Sequence, residues 1–252
     1  MFLAERRIGR LSWNACRNEF SQFAYLQPQE RAMQKSVFLD GEGDQYLRRN
    51  LAKLNPENAS EDVRLFARYL KPGAKILEIG CANGVKLSQL QALVPCEGWG
   101  IDPSAEAIRI GSQRFPNLHL SVGTADQLEF PDSSFDFVIF GFCLYLVDRP
   151  LLTRVMAEAD RVLRDRGFLG ITDFDAKTPF KRRYTHHPGV WSYKLDYGKL
   201  FAELPHFVLA DKISYSHDSG DRFAFDPQER LASWVLAKDH EGAYLESSSS
   251  QP

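Results

Sequence analysis

Three carboxylates beside short apolar runs, Glu78, Asp102 and Asp126, have the type and spacing to hold a polar ligand. Glu78 lies in Ile76-Leu77-Glu78-Ile79-Gly80-Cys81-Ala82-Asn83-Gly84, where an apolar strand enters a turn with two glycines. Helix-spaced Leu87, Leu90 and Val94 follow at once. A strand, a tight loop and a helix start in about fifteen residues make the ligand-binding turn of an open α/β sheet. Gly80 and Gly84 allow the bend and leave no Cβ where a ligand approaches the backbone. The dinucleotide pattern G-x-G-x-x-G is not met, because Ala82 stands two places after Gly80 and the spacing is G-x-x-x-G. Glu78 also disfavours pyrophosphate, since a carboxylate there repels a diphosphate and suits an ammonium group. In a strand buried on both faces an unpaired Glu78 would cost several kcal/mol, which a cationic ligand offsets.

The second mark is Gly98-Trp99-Gly100-Ile101-Asp102-Pro103-Ser104. Its strand ends in an acid about 20 residues after the glycine turn, where one carboxylate accepts from both hydroxyls of a ribose. Alternatively Asp102 caps the helix that begins near Ser104, with Pro103 at its first position. The third mark is Gly123-Thr124-Ala125-Asp126-Gln127-Leu128, and the fourth is the buried-strand run Phe135 to Phe142 with Gly141 at its end. Asp126 equally suits a helix N-cap.

With these four marks in this order, residues Ser60 to Phe174 resemble the class I S-adenosylmethionine-dependent methyltransferases. The resemblance implies a Rossmann-like α/β fold, with a mostly parallel seven-stranded sheet covered by helices on both faces. It implies S-adenosyl-L-methionine as cofactor and S-adenosyl-L-homocysteine as product. It places the methionine end at Glu78, Gly80, Cys81, Ala82 and Gly84, the ribose at Asp102 and Pro103, and the adenine amine at Ala125, Asp126 and Gln127. It adds Gly141 to the cofactor-binding residues and places Tyr145 near the transferred methyl, where its ring walls the acceptor site. The departure from the family turn is Ala82, where its middle glycine is usual.

The elements that position these marks read clearly. Ser60 caps a helix with Val63, Phe66, Ala67 and Leu70 on one face, and Lys71-Pro72-Gly73 stops it. Strands at 75–79, 98–101, 118–122, 135–140 and 167–173 alternate with helices at 84–94, 104–115 and 149–163. Such alternation predicts a parallel sheet, with each mark at a strand's C-terminal end. The domain reading is an N-terminal extension or lid at 1–55, a methyltransferase domain at 56–240 with an insert at about 175–200, and a flexible Ser-rich tail at 241–252.

Bulk properties bound the partners. The 252 residues carry a net charge of -2, so no basic face calls for nucleic acid. No apolar run reaches membrane-spanning length. Cys16, Cys81, Cys96 and Cys143 share no C-x-x-C spacing, which implies neither a metal site nor a disulfide frame and suits the cytoplasm. Cys81 reads as packing rather than as a nucleophile. A monomer or homodimer acting on a small-molecule acceptor is the expectation.

Residues for that acceptor are less sharply marked. Tyr46 and Arg49 sit in a charged helix that serves either as a solvated face or as a lid. The insert from Lys181 to Lys194 reads as a long functional loop with Arg182, Arg183, Tyr184, Trp191 and Tyr193. Its basic residues are either solvated or hold the phosphate of a phosphorylated or nucleotide-linked acceptor. Together with the segment Glu42 to Asn50, the insert resembles methyltransferases of bacterial surface-glycan assembly, which implies a sugar or nucleotide-sugar acceptor. Its aromatic residues stack on a substrate or anchor the loop. His186, His187 and Asp173 are the candidate bases for an oxygen acceptor, although a loop histidine pair is commonly only solvated. Two rivals remain: a protein that binds the cofactor without catalysis, and a Rossmann oxidoreductase. The latter would want a Tyr-x-x-x-Lys pair; Tyr193 and Lys194 are adjacent, and Tyr184 has Pro188 four places on.

Overall fold

The computed structural model describes residues 33–52, 54, 59–219 and 221–244. The expected lid residues 1–32 and tail residues 245–252 lie outside the described residues. Seven strands form one sheet in the order β3-β2-β1-β4-β5-β9-β8. They are β1 (Ala74–Ile79), β2 (Cys96–Asp102), β3 (Leu118–Val122), β4 (Phe135–Gly141), β5 (Leu163–Phe174), β8 (Phe207–Ser216) and β9 (Arg230–Lys238). The first five are parallel, and β9 runs antiparallel between β5 and β8. The seven-stranded, mostly parallel sheet expected from the alternation is therefore present.

The two faces of the sheet follow from the strand period of two. Leu77, Ile79, Val138, Phe140, Leu169 and Ile171 pack toward α6 (Leu152–Val162) and α7 (Tyr197–Ala202), through Val155, Ala159 and Phe201. Ile76, Phe137 and Ile139 pack on the other face with α3 (Glu61–Ala67), α4 (Val85–Leu93) and α5 (Ala105–Arg114), through Val63, Phe66, Leu87, Leu90 and Ile108. Glu78 shares the parity of Ile76, so it leaves the sheet on the α3 and α4 face. Because β1 pairs with β2 on one side and β4 on the other, chain direction across the sheet reverses there. That reversal opens a crevice beyond the strand ends.

Two segments differ from expectation. Residues 175–200 are not an irregular loop: β6 (Phe180–Arg183) and β7 (Trp191–Lys194) pair as an antiparallel hairpin, followed by α7. Alternation of partly buried Trp191 and Tyr193 with buried Ser192 and Lys194 accounts for the strand, a period that charge in Lys181 to Arg183 obscures. The segment Gln34–Val37 (α1) leads through Phe38–Glu42, where the chain kinks at Gly41 (φ 135°), into α2 (Gly43–Asn50).

Candidate functional site

The C-terminal tips of β1, β2 and β4, with α1 and α2 above them, enclose a cavity of about 530 Å³. That volume falls within the range of sites that enclose drug-sized ligands. Glu78, Gly80, Cys81, Ala82, Asp102, Pro103, Ala125, Asp126 and Gly141 line it. Gly84 and Gln127 do not; Gly84 forms the left-handed N-cap of α4, and Gln127 closes a bridge to Thr124.

At the first tip, Gly80 has φ 76°, and a Cβ there would sit 2.7 Å from Cys143 Cβ. Ala82 adopts φ 47°, a left-handed conformation that costs a non-glycine residue about 1–2 kcal/mol. Its N–H donates to Asp102 Oδ2 at 2.9 Å, which pins the turn to the neighbouring strand. Glu78 is buried, and its Oε2 has no hydrogen-bond partner among the described residues. Burial pushes its carboxyl from 4.5 up to about 7; Lys86 counters this, while Asp62 and Asp102 add to it. Lys86 Nζ stands 3.8 Å from Glu78 Oε1 but 2.7 Å from Asp62 Oδ2, so it belongs chiefly to Asp62. Asp62 also accepts from Thr172 Oγ1 and from Ser60. Two carboxylates and one ammonium leave this pocket a net negative charge. An orphaned buried carboxylate oxygen beside it calls for a cationic ligand group.

Asp102 is held up to about 6 by burial, against which the N–H groups of Ser104 and Ala82 act. Ser104, not Asp102, is the N-cap of α5, accepting from Ala107 N–H at 3.0 Å. Asp102 Oδ1 supports that turn by accepting from Ser104 N–H at 2.9 Å. Each carboxylate oxygen accepts more than one hydrogen bond, so the remaining lone pairs suit a vicinal diol. Asp126 is not a helix cap. Burial would raise its carboxyl, but Lys35 from α1, at 2.8 Å, outweighs this and holds it low. A ligand amine there must share Asp126 with Lys35.

Helices α1 and α2 are tied down by polar contacts. Asp148 accepts from Gln34 N–H and Lys35 N–H, both at 2.9 Å, and so caps α1. Gln34 bonds Leu146 O and the backbone of Trp191. Asp44 accepts from Ser104 Oγ at 2.6 Å, docking α2 on the start of α5.

The remaining candidate residues divide. Tyr46 lines the cavity. Arg49 does not; it bonds Glu42 and Tyr184 Oη, joining α2 to the hairpin. Tyr145 stands behind Phe142, ring centroids 4.8 Å apart, and Phe142 is the residue at the wall. Arg182, Arg183, Tyr184, Trp191 and Tyr193 are all away from the cavity wall. Arg182 lies 3.5 Å from Gln228 Oε1, Arg183 packs over Trp191, and Tyr193 packs under the Arg149 guanidinium. Hairpin formation explains this, because it turns these side chains to one another and to the lid. His186 packs edge-on against Tyr184, and His187 borders a separate shallow depression with Asp40 and Gln45. Asp173 is 1% exposed and accepts from the N–H groups of Phe174 and Tyr145; burial pushes it up to about 7. It lies behind the wall.

Sequence reasoning missed Lys35, Asp62, Lys86, Phe142 and His217, all on the wall. Lys86 carried a signal, standing two residues past Gly84 on the first helical turn. His217 carried none. His217, Asp218 and Glu229 also bring one ligand atom each within 4.8 Å of one another, the spacing of a metal site or of a carboxylate-oriented imidazole.

Fold and site together define a Rossmann-like protein with a carboxylate-lined cavity at its strand tips. Residues 76–167 match the family model described as a methyltransferase domain. The demethylmenaquinone methyltransferase of Renibacterium salmoninarum is 30% identical over 171 residues, 65% of either chain. A phthiotriol/phenolphthiotriol dimycocerosates methyltransferase of Mycobacterium ulcerans is 35% identical over 104 residues, 40% of this chain and 38% of that one. The chain thus spans from under two fifths to just under two thirds of the length of these relatives. The crystal structure of Burkholderia thailandensis 1,6-didemethyltoxoflavin-N1-methyltransferase, with its acceptor and S-adenosylhomocysteine bound, shares the fold. Its TM-score is 0.61, with 16% identity over 81% of this chain and 87% of that one. Over its sheet and strand tips this chain is therefore similar to S-adenosylmethionine-dependent methyltransferases, whose fold it shares.

Proposed function

We propose that the protein transfers the methyl group of S-adenosylmethionine to a flat, hydroxylated aromatic small molecule. The observation that carries the cofactor reading is the orphaned Glu78 Oε2, buried at the tip of β1 one strand from Asp102. Glu78 receives the ammonium, Asp102 the ribose hydroxyls and Asp126 the adenine amine. When bound, the cofactor's sulfonium supplies an electrophilic methyl, so the protein's task is alignment and exclusion of water. Phe38, Tyr46 and Lys35 on the lid helices close over that end.

The acceptor reading rests on the rest of the wall, where Phe38, Phe142, Leu146, Val147, Leu151 and Leu231 present apolar surface. Arg182 and Arg183, on which a sugar or nucleotide-sugar acceptor rests, do not reach it. The name of the demethylmenaquinone methyltransferase, a relative that acts on a quinone ring, supports a ring-bearing acceptor. The test is methyl transfer from radiolabelled S-adenosylmethionine to naphthohydroquinone and, in parallel, to a nucleotide-sugar. Transfer to the aromatic probe alone is expected. Transfer to the nucleotide-sugar alone would overturn the acceptor reading, and no cofactor binding at all would overturn the whole.

A further inference from the structure

Beyond the acid-lined end, His217 reaches the cavity wall from the residue just after β8. Its ring stacks on Phe142, with centroids 5.7 Å apart and planes 28° from parallel, and Phe174 lies 6.1 Å away. Phe142 itself leaves the tip of β4 with φ 64°. Such strain in a bulky residue persists only where the surroundings enforce it, and it gathers at functional sites. Here it sets an aromatic ring at the tip of a strand beside Gly141, and the imidazole against that ring.

The imidazole is also oriented. Nδ1 lies 3.1 Å from Asp218 Oδ1 and 3.9 Å from Glu229 Oε2, and the backbone N–H of His217 donates to the backbone carbonyl of Glu229 at 2.7 Å, which fixes the residue's position. A proton on Nδ1 shared with a carboxylate leaves the lone pair on Nε2, the arrangement of a base held by a third group. Of the other carboxylates of the wall, Glu78 and Asp102 sit at the cofactor end and three more are engaged by protein groups. Asp62 holds Lys86, Asp126 holds Lys35, and Asp148 caps α1. Tyr46 is buried and its hydroxyl is pushed above its usual range, chiefly by burial. The charged groups around His217 are Asp218 and Glu229, then Lys194 over the Phe174 ring at 3.8 Å, and Arg182 beside Gln228.

Resting on the methyltransferase reading above, we propose that His217, oriented by Asp218 and Glu229 and stacked on Phe142, is the general base that deprotonates the acceptor. The acceptor's electron pair forms the bond to the methyl carbon. The methyl–sulfur bond breaks with its pair kept on sulfur, giving the neutral thioether, and the acceptor's hydroxyl proton passes to Nε2. The imidazolium formed is balanced by the Asp218 and Glu229 carboxylates and then loses its proton to solvent. Phe142 gives a flat acceptor ring a surface beside the base.

The test compares wild type with His217→Ala and His217→Gln, using S-adenosylhomocysteine titration and methyl transfer to naphthohydroquinone between pH 5.5 and 9. Both variants are expected to bind S-adenosylhomocysteine within about twofold of wild type and to lose about 100-fold or more in kcat, the usual contribution of a positioned base. Whatever rise of wild-type rate with pH is observed should vanish in both, and added imidazole should restore part of the rate to His217→Ala alone. A His217→Ala enzyme with wild-type kcat and an unmoved pH profile overturns this assignment and leaves the methyltransferase reading intact. A wild type that binds cofactor but transfers no methyl to the probe overturns the aromatic-acceptor reading and this assignment with it.

Discussion

Replacing Glu78 by Gln should weaken cofactor binding and at the same time stabilise the ligand-free protein. In the folded state burial, first of all, lifts this carboxyl from 4.5 to about 7. Between those values the folded protein holds a proton that the unfolded chain has released. The sign is therefore that of a raised acid: Glu78 supports folding below about pH 4.5, and the support fades as pH climbs to about 7. Ionising it in the empty pocket costs up to about 3 kcal/mol, an upper bound taken from the span of its titration. Glu78→Gln removes that cost, so its Tm should exceed wild type by several degrees at pH 8 and hardly at all at pH 5. Asp102 and Asp173, also raised by burial, remain in both proteins, so the difference between them isolates Glu78. The ligand works in the opposite direction. An ammonium on the orphaned Oε2 forms a charge-assisted bond worth about 1.5–3 kcal/mol, so Glu78→Gln should weaken S-adenosylhomocysteine by about 10- to 150-fold. Wild-type affinity should rise roughly tenfold from pH 6 to 7.5 as Glu78 ionises, and the variant should lose most of that slope. Calorimetric titration and thermal denaturation across pH read both effects. A variant that binds as tightly as wild type, with the same pH slope, refutes the ammonium role.

Asp102→Asn places an amide where Oδ1 and Oδ2 each accept a backbone N–H, so S-adenosylhomocysteine and adenosine should both weaken by about 10- to 100-fold in calorimetry. Loss of the first without the second would remove Asp102 from the ribose. Gly198→Ala sets a Cβ inside the Trp234 ring in the α7 contact and should cost about 2 kcal/mol or more in urea denaturation. Ala82→Gly relieves the left-handed φ at that turn, partly offset by the extra freedom of the unfolded chain, so stability should rise by up to about 1 kcal/mol. A fall of that size would show that the turn is not strained.

The sheet was legible in the chain because a parallel sheet buried on both faces writes itself as apolar runs such as Phe137 to Phe140, separated by helical spacing. Glu78 was legible for the converse reason: an acid in such a run has no bland explanation. Asp102 was half legible, since its carboxylate supports the α5 turn and still presents lone pairs to the cavity. The acceptor side was not. Arg182, Arg183, Trp191 and Tyr193 have the composition of a ligand loop, but pairing of β6 with β7 sends their side chains to one another and to Arg149 and Gln228. His217 and Phe142 come together only because β8 crosses beyond β9 to bring its end over the tip of β4, a contact about 75 residues apart in the chain that no local spacing encodes. Lys35 was hidden in the same way, its partner Asp126 lying 91 residues further on.

Carboxylates at successive strand tips are proposed to hold an adenosyl amino acid by its ammonium, its ribose and its base. The decisive observation is a crystal structure of the protein with S-adenosylhomocysteine. The α-amino nitrogen is expected on Glu78 Oε2, both ribose hydroxyls on Asp102, and the adenine amine on Asp126 with Lys35 drawn aside. Density for the nucleoside elsewhere, or with its amino-acid end turned away from β1, would contradict it.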